Sequence, residues 1–125
     1  MYLSPKLLEN AVQQNQGEPG VIVDLSLKQL IGLKGVERYL ETDQIDKLLL
    51  STNYIQSIDQ NFHLFVNLRE LDLSINHISA IENLESLVNL RLLNLSNNRI
   101  SKIEHLDALK SLEVLVTFYT RNNVS

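Results

Sequence analysis

Residues Leu93–Leu106 read LNLSNNRISKIEHL, a comb of leucine and isoleucine interrupted by asparagine at 94, 97 and 98. Burying an asparagine is costly unless its amide is fully bonded, so its place in such a comb needs a cause. Two further stretches supply it. LLLSTNYIQSI at Leu48–Ile58, LDLSINHISAI at Leu71–Ile81 and LNLSNNRISKI at Leu93–Ile103 superpose without gaps. Asn53, Asn76 and Asn98 coincide, 23 and then 22 residues apart, and Ile58, Ile81 and Ile103 keep the same steps. A second comb succeeds each at three-residue spacing, Ile81, Leu84, Leu87, Leu90 in one unit and Ile103, Leu106, Leu109, Leu112 in the next.

The two spacings describe two halves of one coil. Leu71 and Leu73 alternate with period two, as in a strand with one buried face. The i, i+3 leucines suit a short helix or a 3₁₀ turn on the return path. A period of 20–29 residues built around L-x-L-x-x-N defines a leucine-rich repeat. The expected fold class is α/β, a right-handed solenoid whose strands stack into a curved parallel sheet on the concave face. At the asparagine the chain leaves the strand, and the turn's buried backbone groups lose their ladder partners. Asn53, Asn76 and Asn98 are therefore expected to form a structural ladder, each amide bonding its own turn and the adjacent coil.

The ends depart from the pattern. VDLSLKQLIGL, from Val23, is a degenerate first repeat with Lys28 at the asparagine position. Before it, Ser4 as N-cap, Pro5 at the first helical position and a Leu7, Leu8, Ala11, Val12 stripe predict an amphipathic helix ended by Gly17 and Pro19. Residues 1–19 are thus expected to be a capping helix, and 20–125 about four and a half repeats. No capping pattern comes after the last strand. The expectation there is a fragment of a longer protein, with self-association through an edge bearing Val114, Val116, Phe118 and Tyr119.

Composition excludes several functions. With 125 residues, a net charge of −4 and no run of its 11 Lys and Arg, the chain offers no phosphate-binding surface, so direct nucleic-acid binding is not expected. It contains no cysteine, which favours a reducing compartment. The N-terminus lacks the pattern of a secretory signal, and no apolar run reaches the roughly 20 residues that span a bilayer. An intracellular setting without membrane association is expected, and the sequons at Asn94 and Asn123 read as accidental.

Catalytic and metal chemistry find no support. Glu70 and Asp72, at i and i+2 of one strand, would stand roughly 7 Å apart on a shallow open face, without the enclosure that acid–base catalysis needs. Ser26, Ser51, Ser74 and Ser96 share one phase, but no histidine is predicted beside them. His63, His77 and His105 fall in different phases, and Asp43, Asp46 and Asp59 read as dispersed loop residues without calcium-loop spacing. No enzyme activity, metal or cofactor is expected.

The register instead defines a binding surface. One outward column is Ile22, Lys47, Glu70, Leu92, Val114; the next is Asp24, Leu49, Asp72, Asn94, Val116. Lys47, Leu49, Glu70, Asp72, Ile75, Leu92 and Asn94 are the candidate partner-binding residues, with apolar anchors ringed by charges that orient a helix or loop of another protein.

The coil LxxLxxLxLxxNxIxxI over about residues 20–115 resembles the leucine-rich-repeat regulatory subunits of protein phosphatase 1, axonemal dynein light chain 1, ciliary dynein-assembly factors and the spliceosomal A-prime protein. The LSPKLLENAVQQ lead, the degenerate first repeat and LETDQIDKLLLSTNYIQSI are similar in layout to the ciliary and spliceosomal members. This resemblance implies a non-enzymatic protein-binding scaffold of the cytoplasm or cilium, associated with axonemal dynein. Its alternatives are a nuclear spliceosomal component acting through a partner protein, or a phosphatase regulator with aromatic and acidic residues on the concave face.

Overall fold

The computed structural model describes residues 1–14 and 20–118. Gly17, Pro19, Tyr119 and the Asn123 sequon lie outside the described residues. One sheet organises the molecule. Its strands are β1 (Val12–Gln14), β2 (Val21–Asp24), β3 (Ile45–Leu49), β4 (Glu70–Asp72), β5 (Leu92–Asn94) and β6 (Val114–Val116). Spatial order copies chain order, and the pairings from β2 to β6 are all parallel.

The alternating leucines explain the register. Val23, Leu48, Leu71, Leu93 and Leu115 align across the sheet, and all but Leu115 are fully buried. Leu25, Leu50, Leu73 and Leu95 form the next buried row, and Leu30, Ile55, Ile78 and Ile100 the one after it. Each such side chain contributes about 1.5–3 kcal/mol on leaving water. Burial weakens in the last coil, where Ile103, Leu106, Leu112 and Leu115 only partly enter the core.

No α-helix occurs among the described residues, so the helical half of the expected α/β class is corrected. The return paths are turns instead. Leu87 N–H donates to the Leu84 carbonyl at 3.0 Å and Leu90 N–H to that of Leu87 at 3.1 Å, tracking the leucine comb step by step. Bonding at i→i+3 brings residues three apart onto one side, which an α-helix would fan over a wider arc. Short 3₁₀ helices occupy Val36–Arg38, Thr42–Gln44 and Gln60–Leu64.

The expected N-terminal capping helix is corrected in the same way. Ser4 Oγ does accept the Leu7 N–H at 3.2 Å, as an N-cap would. Turns then run only to Ala11, because Asn10 adopts φ 65° and diverts the chain. From there the backbone extends as β1, antiparallel to β2 with Val12 opposite Val23. Leu3 and Ala11 are buried, and Leu7 and Leu8 pack against the core. The Met1 amino group donates to the Gln29 carbonyl at 2.8 Å, so the segment straps the first coil at both ends.

One glycine is required by this arrangement. Between Val21 and Ile22 the β2–β3 register slips past Asp46. Gly20, at φ 104°, lies so close that a Cβ would stand 2.5 Å from that of Asp46.

Candidate functional site: the outer sheet face and its two rims

At each strand exit an asparagine closes the turn. Asn76 donates to the carbonyls of Leu50 and Leu73, both at 3.0 Å, and its Oδ1 accepts the Ile55 N–H at 3.0 Å. Asn98 repeats this with Leu73, Leu95 and the Ile78 N–H. Asn53 donates to Leu25 and Leu50 and accepts from Lys28 and Leu30. One amide thus serves two coils, and these side chains are buried in the frame rather than offered to a ligand.

The side chains opposite the core stand in the columns that the repeat predicts, Lys47–Glu70–Leu92–Val114 and Leu49–Asp72–Asn94–Val116. Lys47 Nζ lies 3.7 Å from Glu70 Oε1, so these charges offset one another across neighbouring strands. Leu49 and Leu92 are half-buried, and Ile75 is exposed. Among the described residues, the lining of this face includes no aromatic side chain in either column.

Asp72 and Asn94 have a second task. Asp72 Oδ1 accepts the Ser74 N–H at 2.9 Å and the Ser74 hydroxyl at 2.6 Å; Asn94 Oδ1 does the same for Ser96 at 3.1 and 2.7 Å. Asp24 accepts the Ser26 N–H at 3.0 Å. Ser26, Ser74 and Ser96 are therefore the second halves of Asx turns that bend β2, β4 and β5 out of the sheet, whereas Ser51, with Leu49 before it, bonds the Ser74 hydroxyl instead. The Asn94-x-Ser96 sequon is one of these turns.

Two features escape a reading of the sequence. Along the strand-entry rim, Asp46, Arg69, Arg91 and Glu113 occupy successive coils. Asp46 is a buried residue of β3, not a loop residue, and Arg69 clasps it through Nε and through Nη2 at 2.9 Å. Arg91 meets Glu113 more loosely, at 3.3 and 3.5 Å on an exposed surface. A signal for this rim exists, since opposite charges recur one repeat apart just before the first outward column.

The other feature is the strand-exit rim. Leu27, Thr52, Tyr54, Ile75 and His77 line a groove of about 330 Å³, with the Tyr54 and His77 rings parallel to within 2° and 6.0 Å apart. On the return path, Asn83 donates to the Ile58 carbonyl at 2.7 Å and His105 Nδ1 lies 2.9 Å from that of Ile81. His105 thus belongs to a second inter-coil bond column, legible in the matching IEN and IEH that end each unit. Asp59 bonds the Leu33 N–H at 3.1 Å in a like manner. No group of three or more potential metal ligands occurs among the described residues.

Comparison with known families agrees with this geometry. Residues 66–108 match the model for leucine rich repeats, in two copies. No curated protein matches the chain. These residues are similar to leucine-rich repeats, and the same strand register and asparagine bonding extend the unit upstream to Val23. Leucine-rich repeats generally mediate protein–protein interaction and are typically non-enzymatic.

Proposed function

We propose that this leucine-rich-repeat protein is a non-enzymatic scaffold that binds a helix or loop of another protein on its outer sheet face. The observation that carries the reading is the pairing of Leu49 and Leu92, half-buried on that face, with the Lys47–Glu70 pair beside them. Apolar anchors next to charges that fix orientation are what a protein interface needs.

The resemblance in repeat layout supports a ciliary or axonemal-dynein-associated version, acting in the cytoplasm or cilium. A spliceosomal component in the nucleus is the second reading, on the same layout. The absence of aromatic side chains from the two outward columns does not favour the phosphatase-regulator version. Self-association through β6 belongs to the same proposal, since Val114 is exposed there.

The test is capture of partners from a lysate by wild-type protein and by Leu92→Asp, each with and without RNase. The expected result is loss of axonemal or dynein proteins in the variant alone, with its thermal melting unchanged. Equal recovery by both proteins overturns the sheet-face reading, and RNase-sensitive splicing proteins overturn the ciliary one. A concentration-dependent mass that Val114→Lys abolishes supports pairing through β6; a monomer at all concentrations removes it.

A further inference from the structure

We infer that the strand-exit groove docks a peptide segment in which a large apolar side chain stands beside lysine or arginine. This rests on the protein-binding reading above and narrows it to one rim and one partner chemistry.

The backbone gives the first argument. Leu27, Thr52, Ile75 and Asn97 share one phase and all adopt left-handed conformations, with φ of 59°, 60°, 56° and 57°. Asparagine suits that region, whereas a β-branched side chain there is sterically costly. Isoleucine at 75 accepts the cost without a return in burial, for it is 48% exposed, and Leu27 is 75% exposed. Asn97 shows that this turn is built equally well from a polar residue. Strain and exposure at the same side chain indicate a role outside folding.

The surroundings give the second. Leu27 and Ile75 line the groove with Thr52 and the parallel rings of Tyr54 and His77. Its volume of about 330 Å³ holds one or two large side chains.

Charge identifies what lies beside the anchor. Three residues before Leu27 and Ile75 stand Asp24 and Asp72, with Leu49 between them in the sheet register. Each carboxylate commits Oδ1 to its own serine turn, and no ion pair or further bond engages Oδ2 among the described residues. Two strand spacings put the carboxylates roughly 10 Å apart. Lys47 and Glu70 offset each other. Lys28 follows Leu27 on the exit side of the first coil and Arg99 falls one coil beyond Ile75, so the charge left on the sheet-side flank is that of Asp24 and Asp72. A cationic residue complements it.

The test selects random short peptides displayed on phage against the wild-type protein. Dissociation constants of the enriched peptides are then measured on Ile75→Asn, Asp72→Asn and Leu92→Asp. Asn94 already makes the serine turn, so Asp72→Asn removes charge and keeps the bend. The expected peptides carry a large apolar residue next to lysine or arginine. Ile75→Asn is expected to weaken them about tenfold or more with melting unchanged or raised. Asp72→Asn should weaken them about threefold and flatten the salt dependence. Acidic peptides, full affinity on Ile75→Asn, or no enrichment overturns the groove. Binding kept by Ile75→Asn but lost with Leu92→Asp overturns the groove while leaving the sheet-face reading intact. Binding lost with Ile75→Asn, beside partner capture indifferent to Leu92→Asp, upholds the groove and removes that reading.

Discussion

Asn76 donates its side-chain amide to the carbonyl of Leu50, one coil upstream, at 3.0 Å. The same amide holds Leu73 in its own coil and accepts the Ile55 N–H; the two carbonyls each have a second donor, in Asn53 and Asn98, whereas the Ile55 N–H relies on Asn76. Replacing it with leucine strands the Ile55 N–H, at about 1–3 kcal/mol, and takes one of two donors from each carbonyl. Asn76→Leu is expected to lose about 2–3 kcal/mol in urea unfolding despite the gain in apolar surface. A loss below about 1 kcal/mol would mean that water or a relaxed turn bonds those groups instead.

The two arginines of the strand-entry rim should behave unlike one another. Arg69→Met leaves Asp46 buried without its clasp, a change that costs about 3–5 kcal/mol. Arg91→Met breaks an exposed pair worth about 0–1 kcal/mol. The double variant Asp46→Leu/Arg69→Met should recover most of the first loss, because an apolar pair needs no compensation. Equal effects of the two single variants would show that burial does not govern this column.

Gly20→Ala tests the β2–β3 junction. An added methyl meets Asp46 Cβ at 2.5 Å, and φ 104° is unfavourable for any L side chain. Strain and overpacking together predict a loss of about 2–5 kcal/mol. Gly35→Ala has the positive φ but open space, its added Cβ meeting only Arg38 Cδ at 3.9 Å, and should cost about 1–2 kcal/mol. Chemical denaturation of both separates the contact from the conformation.

Removing residues 1–11 takes the Ala11 carbonyl from the Asp24 N–H, bonded at 2.9 Å, and discards the burial of Leu3 and Ala11. Because coils touch only their neighbours, the damage should be graded. Amide hydrogen exchange is expected to accelerate first at Val23, Leu25 and Leu48 and least at Leu93 and Leu95. Uniform acceleration would make the solenoid one cooperative unit.

Sequence is most informative in this chain where one period rules. The outward columns, the buried leucine rows and the asparagine positions derive from a 22–23-residue step combined with strand alternation, and they stand where those rules put them. The N-terminal segment misleads because its local signals are real but insufficient. Ser4 and Pro5 start a helical turn, but fewer than two turns fit before Asn10. The open edge of β2 then captures the chain as a strand. That capture is a long-range effect, invisible to a helical stripe. Asp46 resembles a loop residue in sequence because a buried carboxylate is intelligible only beside its arginine, one coil later. The exit groove is concealed because leucine, threonine and isoleucine give no sign of a left-handed backbone.

Strand order that copies chain order has a consequence for how such a molecule can change. Among the described residues no segment passes between two others to reach its place, so a coil is a removable link rather than a keystone. A copy of residues 77–98, inserted after Asn98, would present the same leucine rows to both neighbours and the same asparagine to the next turn. Lengthening the binding face by one strand therefore demands no rerouting of the rest. The chain is built like a text to which a line can be added without resetting the page.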